Sequence, residues 1–273
     1  LISNHPDEKP RSDGYWTAYI VKANKSTKIK VIITLKDLGA GYAVKSLESL
    51  WVETFWVNYG PFGRIKRRQG ILVPLHFPEP IKPSEAYLNS WNGYQTLPIK
   101  THLLGTLDNP MDVFMRYVSN LVKPGDIITI GETPLAIIQG RYIHPSNIKP
   151  STTAKILCRA FHPTSSLATA CGLQTLINQV GPTRVIFAWI LGISFKLIGI
   201  KGCFYRFAGK QARLIDDITG TTPPYDQTIV LGPKESKEIC KKAADLLGVD
   251  VAIVDVNDLG RVKVLAASKN CNK

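Results

Sequence analysis

Three short acidic stretches carry residue types and spacings suited to chemistry. In "VDVAIVDVNDLGRVKVLAAS" (249–268) an apolar run with the residue types of a buried strand ends in Asp255, Val256, Asn257 and Asp258. In "RLIDDITGTTPPYD" (213–226) Asp216 and Asp217 also leave an apolar run, and Gly220, Pro223 and Pro224 set a turn. "GDIITIGE" (125–132) puts Glu132 at the end of a third run. Carboxylates repel one another and resist burial, so their placement at the exits of apolar segments needs a reason. Gathered from separate strand ends, they make the hard-oxygen cage of Mg²⁺ or Mn²⁺. Mg²⁺ takes one or two protein carboxylates and completes its shell with water and substrate phosphate. Each stretch alone is equally what a turn uses: "VNDLG" reads as a tight turn capped by Asp258, and "IDD" as a turn within a hairpin.

The elements that would position these groups follow from periodicity and punctuation. "DNPMDVFMRYVSNLVKPGD" (108–126) has an Asn/Asp cap, Pro110 in its first turn and a Lys-Pro-Gly stop, and predicts a helix. "DIITIGE" predicts a strand ending at Glu132, and "PLAIIQGRYI" a further apolar run in which Gly140 permits a bulge. "KPSTTAKILCRAF" and "TSSLATACGLQTLINQVG" read as helices, the second ended by Gly181 and Pro182. "GCFYRFAG" and "QARLIDD" read as a hairpin, "TIVLGP" as a strand, and "KESKEICKKAADLLG" as a helix with Gly248 past its end. "RVKVLAAS" continues as a strand beyond Gly260. The apolar stretch 185–200, broken by Lys196 and two glycines, falls short of the ~18 or more uninterrupted residues of a spanning helix. It reads as a buried or half-buried helix, with membrane contact not favoured.

Residues 1–94 have a different texture. "YWTAYIVK" and "TKIKVIITLKDLG" read as strands with one solvated face. "SLESLWVETFWVNYG" fits a strand or a helix, and the Pro-rich "VPLHFPEPIKPSE" is a connector. A boundary near "NGYQTLP" (92–98) divides a β-rich region, 1–94, from a domain at 95–273, and the fold class is α+β.

The 273 residues carry a net charge of +13, which favours anionic partners. "GRIKRRQG" (63–70) is the dense basic run, but aromatics are not interleaved with it as on a stacking platform, so it reads as a solvated loop and nucleic acid is not the favoured partner. Arg141, Lys149, Arg206, Lys210 and Arg213 lie near predicted strand ends and are candidates to neutralise phosphate or carboxylate. Lys234 stands at the start of a predicted helix, where backbone N–H groups also receive anions. Neither GxxxxGK[ST] nor GxGxxG occurs, so nucleotide binding requires another scaffold. His102, His144 and His162 show no ligand spacing. The five cysteines are odd in number and lack CxxC spacing, which predicts reduced thiols. With no secretory pattern in the opening residues, the expected compartment is the cytosol.

"KPGDIITIGETPLAIIQGRYI", "KGCFYRFAGKQARLIDDITGTTPPYDQTIVLGP" and "GVDVAIVDVNDLGRVKVLAAS" together resemble the coenzyme F420-0:gamma-glutamyl ligase family over residues 95–273. The nearest likeness is to its bacterial branch without assigned substrates. The resemblance implies mixed α/β sheets, a homodimer, Mg²⁺ or Mn²⁺, and GTP (or ATP) as co-substrate. It further implies ligation of an amino acid, L-glutamate in the family, to a carboxylate of an anionic coenzyme precursor, F420-0-like or folate-like. Carried over by motif, the catalytic and metal role falls on Asp216 and Asp217 and the metal role on Asn257 and Asp258. Asp255 and Glu132 join from the local reading. Family ligases carry lysines in the segment matching "GETPLAIIQG", where this chain has Thr133 and Ile137. The family's Ser-Asp-Thr-Phe-Gly-Arg motif is here "VNDLGR", with Asn257 against its aspartate and Asp258 against its threonine. The rival expectation is a non-catalytic nucleotide- or cofactor-binding protein on the same scaffold. A third is nucleic-acid binding through the basic N-terminal region. Residues 1–94 resemble nothing in that comparison.

Overall fold

A computed structural model describes residues 31–36, 46–61, 63–85, 88–91, 93–200, 202–218, 223–256, 262–269 and 271. The chain divides into two compact units, Leu1–Leu47 and Glu48–Lys273. In the first, residues 31–36 are neither helix nor strand, which corrects that part of the strand expected over 27–39; "YWTAYIVK" lies outside the described residues.

The larger unit mixes helices and sheets. It opens on a long hairpin, β1 (Ser49–Gly60) and β2 (Gly63–Pro74), paired antiparallel from Ser49 against Pro74 to Gly60 against Gly63. The basic run 63–70 is therefore a strand rather than the expected solvated loop. Two of its arginines find partners: Arg67 Nη1 donates to the Asn147 carbonyl at 3.1 Å, and Arg68 reaches across the hairpin. Arg68 grips Glu53 with Nε at 3.1 Å and Nη2 at 2.5 Å, and this contact holds the Glu53 carboxyl below the usual carboxylate range. Asn147 then extends the ladder with its side chain: Oδ1 accepts from the Arg68 N–H at 2.8 Å, and Nδ2 donates to the Arg68 carbonyl at 2.5 Å. Asn147→Ala removes both bonds and leaves two partly buried backbone groups unpaired. The expected cost is about 1–3 kcal/mol, seen as faster amide exchange in β2 with little change elsewhere.

A short hairpin follows, β3 (Asn89–Trp91) and β4 (Tyr94–Thr96). α1 (Pro110–Tyr117) begins as its sequence predicts, with the Asn109 side chain accepting from the Met111 N–H at 2.8 Å and Pro110 in the first turn. Then come β5 (Ile127–Gly131), α2 (Glu132–Ile138) and β6 (Tyr142–Ile143). The run "PLAIIQG" is thus mostly helix. Pro134 falls within the first turn, where its missing N–H costs nothing.

Four helices form the middle of the unit: α3 (Thr152–Leu157), α4 (Ala170–Val180), α5 (Pro182–Leu197) and α6 (Cys203–Ala208). α6 corrects the expected hairpin. Gly202 and Gly209, at φ +81° and +104°, bound a single helical segment, and a 3-10 turn at Lys210–Arg213 follows. Leu157, Leu167, Leu173, Leu176, Val185 and Phe204 form the core of this layer.

β7 (Ile229–Val230) pairs with β6, and α7 (Ser236–Leu247) closes at Gly248 with φ +71°. β8 (Asp250–Val256) and β9 (Val262–Ala267) complete a three-stranded sheet in the order β5-β8-β9, with β5 parallel and β9 antiparallel to β8. β8 is central and covered through Val251, Ala252 and Ile253, so it reads as a continuous apolar run rather than an alternating one. Phe114, Leu135, Cys240 and Ala243 from the surrounding helices pack on this sheet. All five cysteines are free thiols. Among the described residues no single helix is long and apolar enough to cross a membrane.

Candidate functional site

Parallel pairing of β5 with β8 puts their carboxyl ends side by side. Gly131 stands opposite Val254, so Glu132, which opens α2, and Asp255, the next residue of β8, follow just beyond the last β5–β8 pair. The carboxyl ends of parallel strands are where such sheets bind ligands. A third carboxylate arrives from Asp216, whose extended backbone is fixed by reciprocal hydrogen bonds with Val230, each 2.9 Å.

Glu132 is the least comfortable of the three. It is 8% exposed, and its Oε2 is buried with no hydrogen-bond partner among the described residues. Burial, reinforced by the charges of Asp255 and Asp216 and partly offset by Lys263, pushes its pKa up to about 8. Asp216 is likewise raised by burial and by Asp255, while the Thr133 hydroxyl, donating to Oδ2 at 3.0 Å, pulls the other way. Lys263 faces Asp255 across the β8–β9 ladder.

Asp217 is set apart. On an extended segment successive side chains point to opposite sides, and Asp217 lies buried near Cys171 at the start of α4, raising the pKa of that thiol after burial has done so. Its Oδ1 accepts from the Ile218 N–H at 2.8 Å. Asn257 and Asp258 lie outside the described residues. Among those that are described, no three His, Cys, Asp or Glu side chains converge closely enough to share one ion. Two of the carboxylates with water and phosphate oxygens would suffice for Mg²⁺. The orphaned Glu132 oxygen and the mutual repulsion of the cluster fit a divalent cation.

The expected cations are placed differently. Arg141 is drawn in: Nε donates to the Gly232 carbonyl at 2.6 Å, Nη2 is buried without a partner among the described residues, and burial holds its pKa below the ordinary value. Lys234 lies exposed just before α7, its N–H held by Gln139 Oε1 at 2.8 Å. Gln211 Oε1 accepts from the Gly232 N–H at 3.1 Å, so Gln139, Arg141 and Gln211 together fix the loop 231–234. Arg206, Lys210 and Arg213 are exposed, with Arg213 over the Tyr205 ring at 6.0 Å from its centre.

Thr133 and Lys263 were not visible as site residues from sequence. Thr133 lies next to Glu132, but its role depends on a partner 83 positions away, and Lys263 is identified only by the hairpin register. His102, set aside for want of ligand spacing, is buried between the Tyr117 hydroxyl at 2.7 Å and Asp108 Oδ1 at 2.9 Å, a satisfied core histidine.

Residues 1–77 match the family model described as F420-0:gamma-glutamyl ligase, N-terminal Ig-like domain. The match falls within the stretch 1–94, which resembled nothing, and it includes the β1–β2 hairpin. No curated protein matches the chain. Together with the motifs of residues 95–273, the N-terminal match supports the F420-0:gamma-glutamyl ligase family for this chain.

Proposed function

We propose that the chain is an acid–amino-acid ligase that joins the amine of an amino acid, L-glutamate by family likeness, to a carboxylate of an anionic coenzyme precursor. The observation that carries this reading is the carboxylate cluster at the paired ends of β5 and β8, with the buried Glu132 Oε2, which has no partner among the described residues. A nucleoside triphosphate supplies the driving force. The acceptor carboxylate attacks the γ-phosphorus and the nucleoside diphosphate leaves, giving an acyl phosphate. The amine then attacks the carbonyl carbon, phosphate departs, and the nitrogen loses a proton as the amide forms.

Such a reaction depends mainly on positioning and charge neutralisation. A bound divalent cation would supply the positive charge that screens the phosphate oxygens. Two of Glu132, Asp216 and Asp255, with water and phosphate oxygens completing the shell, would hold it, and Thr133 orients Asp216. Arg141 Nη2, buried and without a partner among the described residues, is the N–H we assign to an anionic group of the substrate.

The second reading, a binder without turnover, draws on Thr133. It occupies a segment where the family's ligases carry lysines, and its hydroxyl is committed to Asp216. One assay separates the two. Purified protein is incubated with GTP or ATP, Mn²⁺, glutamate and a panel of F420-0-like and folate-like acceptors, with phosphate release followed and products weighed by mass spectrometry. Acceptor-dependent phosphate with a product heavier by one glutamyl unit is the expected result. Nucleotide binding without phosphate release across the panel overturns the ligase in favour of the binder.

A further inference from the structure

α5 is apolar on two sides at once. One side enters the core through Val185 and Ala188, and Gly192 lies so close to Phe204 that a Cβ there would sit 3.0 Å from its side chain. The other side carries Ile186, Ile190, Ile193 and Leu197 at the spacing i, i+4, i+7, i+11, and all four are exposed. Ile198 and Ile200 prolong this stripe past the helix end; Leu197 is 83% and Ile198 69% exposed. A helix that is apolar all round calls for cover all round.

The charge pattern says what kind of cover. Residues 133–215 contain ten lysines and arginines and no aspartate or glutamate. Arg184 and Lys196 on α5, Arg206 on α6, and Lys210 and Arg213 just after it are exposed. An apolar stripe within an acid-free basic stretch complements a surface that is oily beneath and anionic on top. A second copy of the chain would bring the same acid-free stretch against itself, and like charges would oppose the contact. Nucleic acid matches the charge but offers no continuous apolar layer for the isoleucines. Spanning is not the geometry either. The helix that would form the second leg, α4, meets α5 at a 115° bend and buries Leu173, Thr175 and Leu176 in the protein core.

We propose that α5 and the turn after it lie in the headgroup region of an anionic membrane leaflet, with the Ile186–Leu197 stripe facing the acyl chains. The inference rests on the exposed stripe and the charge pattern and is independent of the ligase reading.

The test is co-flotation of the full chain with vesicles of phosphatidylcholine alone or with a third of the lipid replaced by phosphatidylserine. Binding is expected to be roughly tenfold or more tighter to the anionic vesicles and to weaken with added salt. The double variant Ile190→Asp, Leu197→Asp should bind about a hundredfold more weakly. Ile127→Asp, at an exposed apolar position on β5, should bind as the parent does. Circular dichroism confirms that each variant is folded. Absent or equal binding to both vesicle types, or full binding by the folded double variant, overturns the proposal. A concentration-dependent dimer that the double variant abolishes, without vesicle binding, assigns the face to a second copy instead.

Discussion

Glu132→Gln is expected to reverse its effect on stability between acid and alkaline pH. The folded protein holds the Glu132 proton up to about pH 8, whereas the unfolded chain releases it near 4.5. Between those values the folded state binds the extra proton, so stability falls as pH rises across the window. At ~1.4 kcal/mol per unit, the penalty carried by the metal-free parent above pH 8 is on the order of a few kcal/mol. The neutral amide removes that slope. It also leaves a buried polar group imperfectly paired, at about 1–3 kcal/mol at every pH. The variant should therefore be less stable than the parent at pH 5 and equal or more stable at pH 8.5, as urea midpoints would record. Mn²⁺ should stabilise the parent more at pH 8 than at pH 6, because cation binding displaces the proton. The variant should lose most of this response, and metal-dependent turnover should fall about a hundredfold or more. Parallel stability curves for parent and variant from pH 5 to 8.5 would show that Glu132 is not the buried acid.

Gly172→Ala is expected to cost stability although it adds a methyl to a helical position. In a helix interior this exchange ordinarily stabilises by about 1 kcal/mol. Gly172 lies in the first turn of α4, its N–H bonded to the Thr169 hydroxyl at 3.0 Å, and a Cβ would fall inside the van der Waals shell of the Ser166 carbonyl oxygen. That neighbour is backbone and cannot swing aside. Overpacking of this kind costs about 3 kcal/mol or more, which for a chain of this size lowers Tm by roughly 6–12 °C. The two effects differ in sign, so a thermal melt decides. A rise in Tm would mean that the 3-10 turn at Ser166–Ala168 can retreat.

How much of this was legible in the residues depended on whether the signal was local. α1 declared itself through Asn109 and Pro110, α4 through Gly181 and Pro182, and α7 through Gly248, because caps and stops act within one turn. Asp255 and Glu132 were legible for a similar reason: each marks where an apolar run outlasts its cover. α2 and α6 were not. "ETPLAII" and "CFYRFA" are too short for periodicity to distinguish helix from strand, and the glycines flanking α6 read equally well as hairpin turns. The separation of Asp216 from its neighbour Asp217 depends on the bridge to Val230, and the reach of Lys263 on the β8–β9 register. Neither is written within any window of the chain. The dense basic run misled because the Arg68 guanidinium pairs with Glu53 across the hairpin and the Arg68 backbone is held by the Asn147 side chain 79 positions on.

The pairing of β5 with β8 has a bearing on how the molecule comes into being. Ile127 meets Asp250, so the contact joins residues 123 positions apart in the chain. Contacts of such high sequence separation are slow to form. While the chain grows from its N-terminus, β5 is complete long before its partner exists, and the intervening helices are made in the interval. The three carboxylates thus meet only after the central strand has docked. Their mutual repulsion falls on a late step of assembly, when the apolar contacts of Val251 and Ile253 are already in place to hold them.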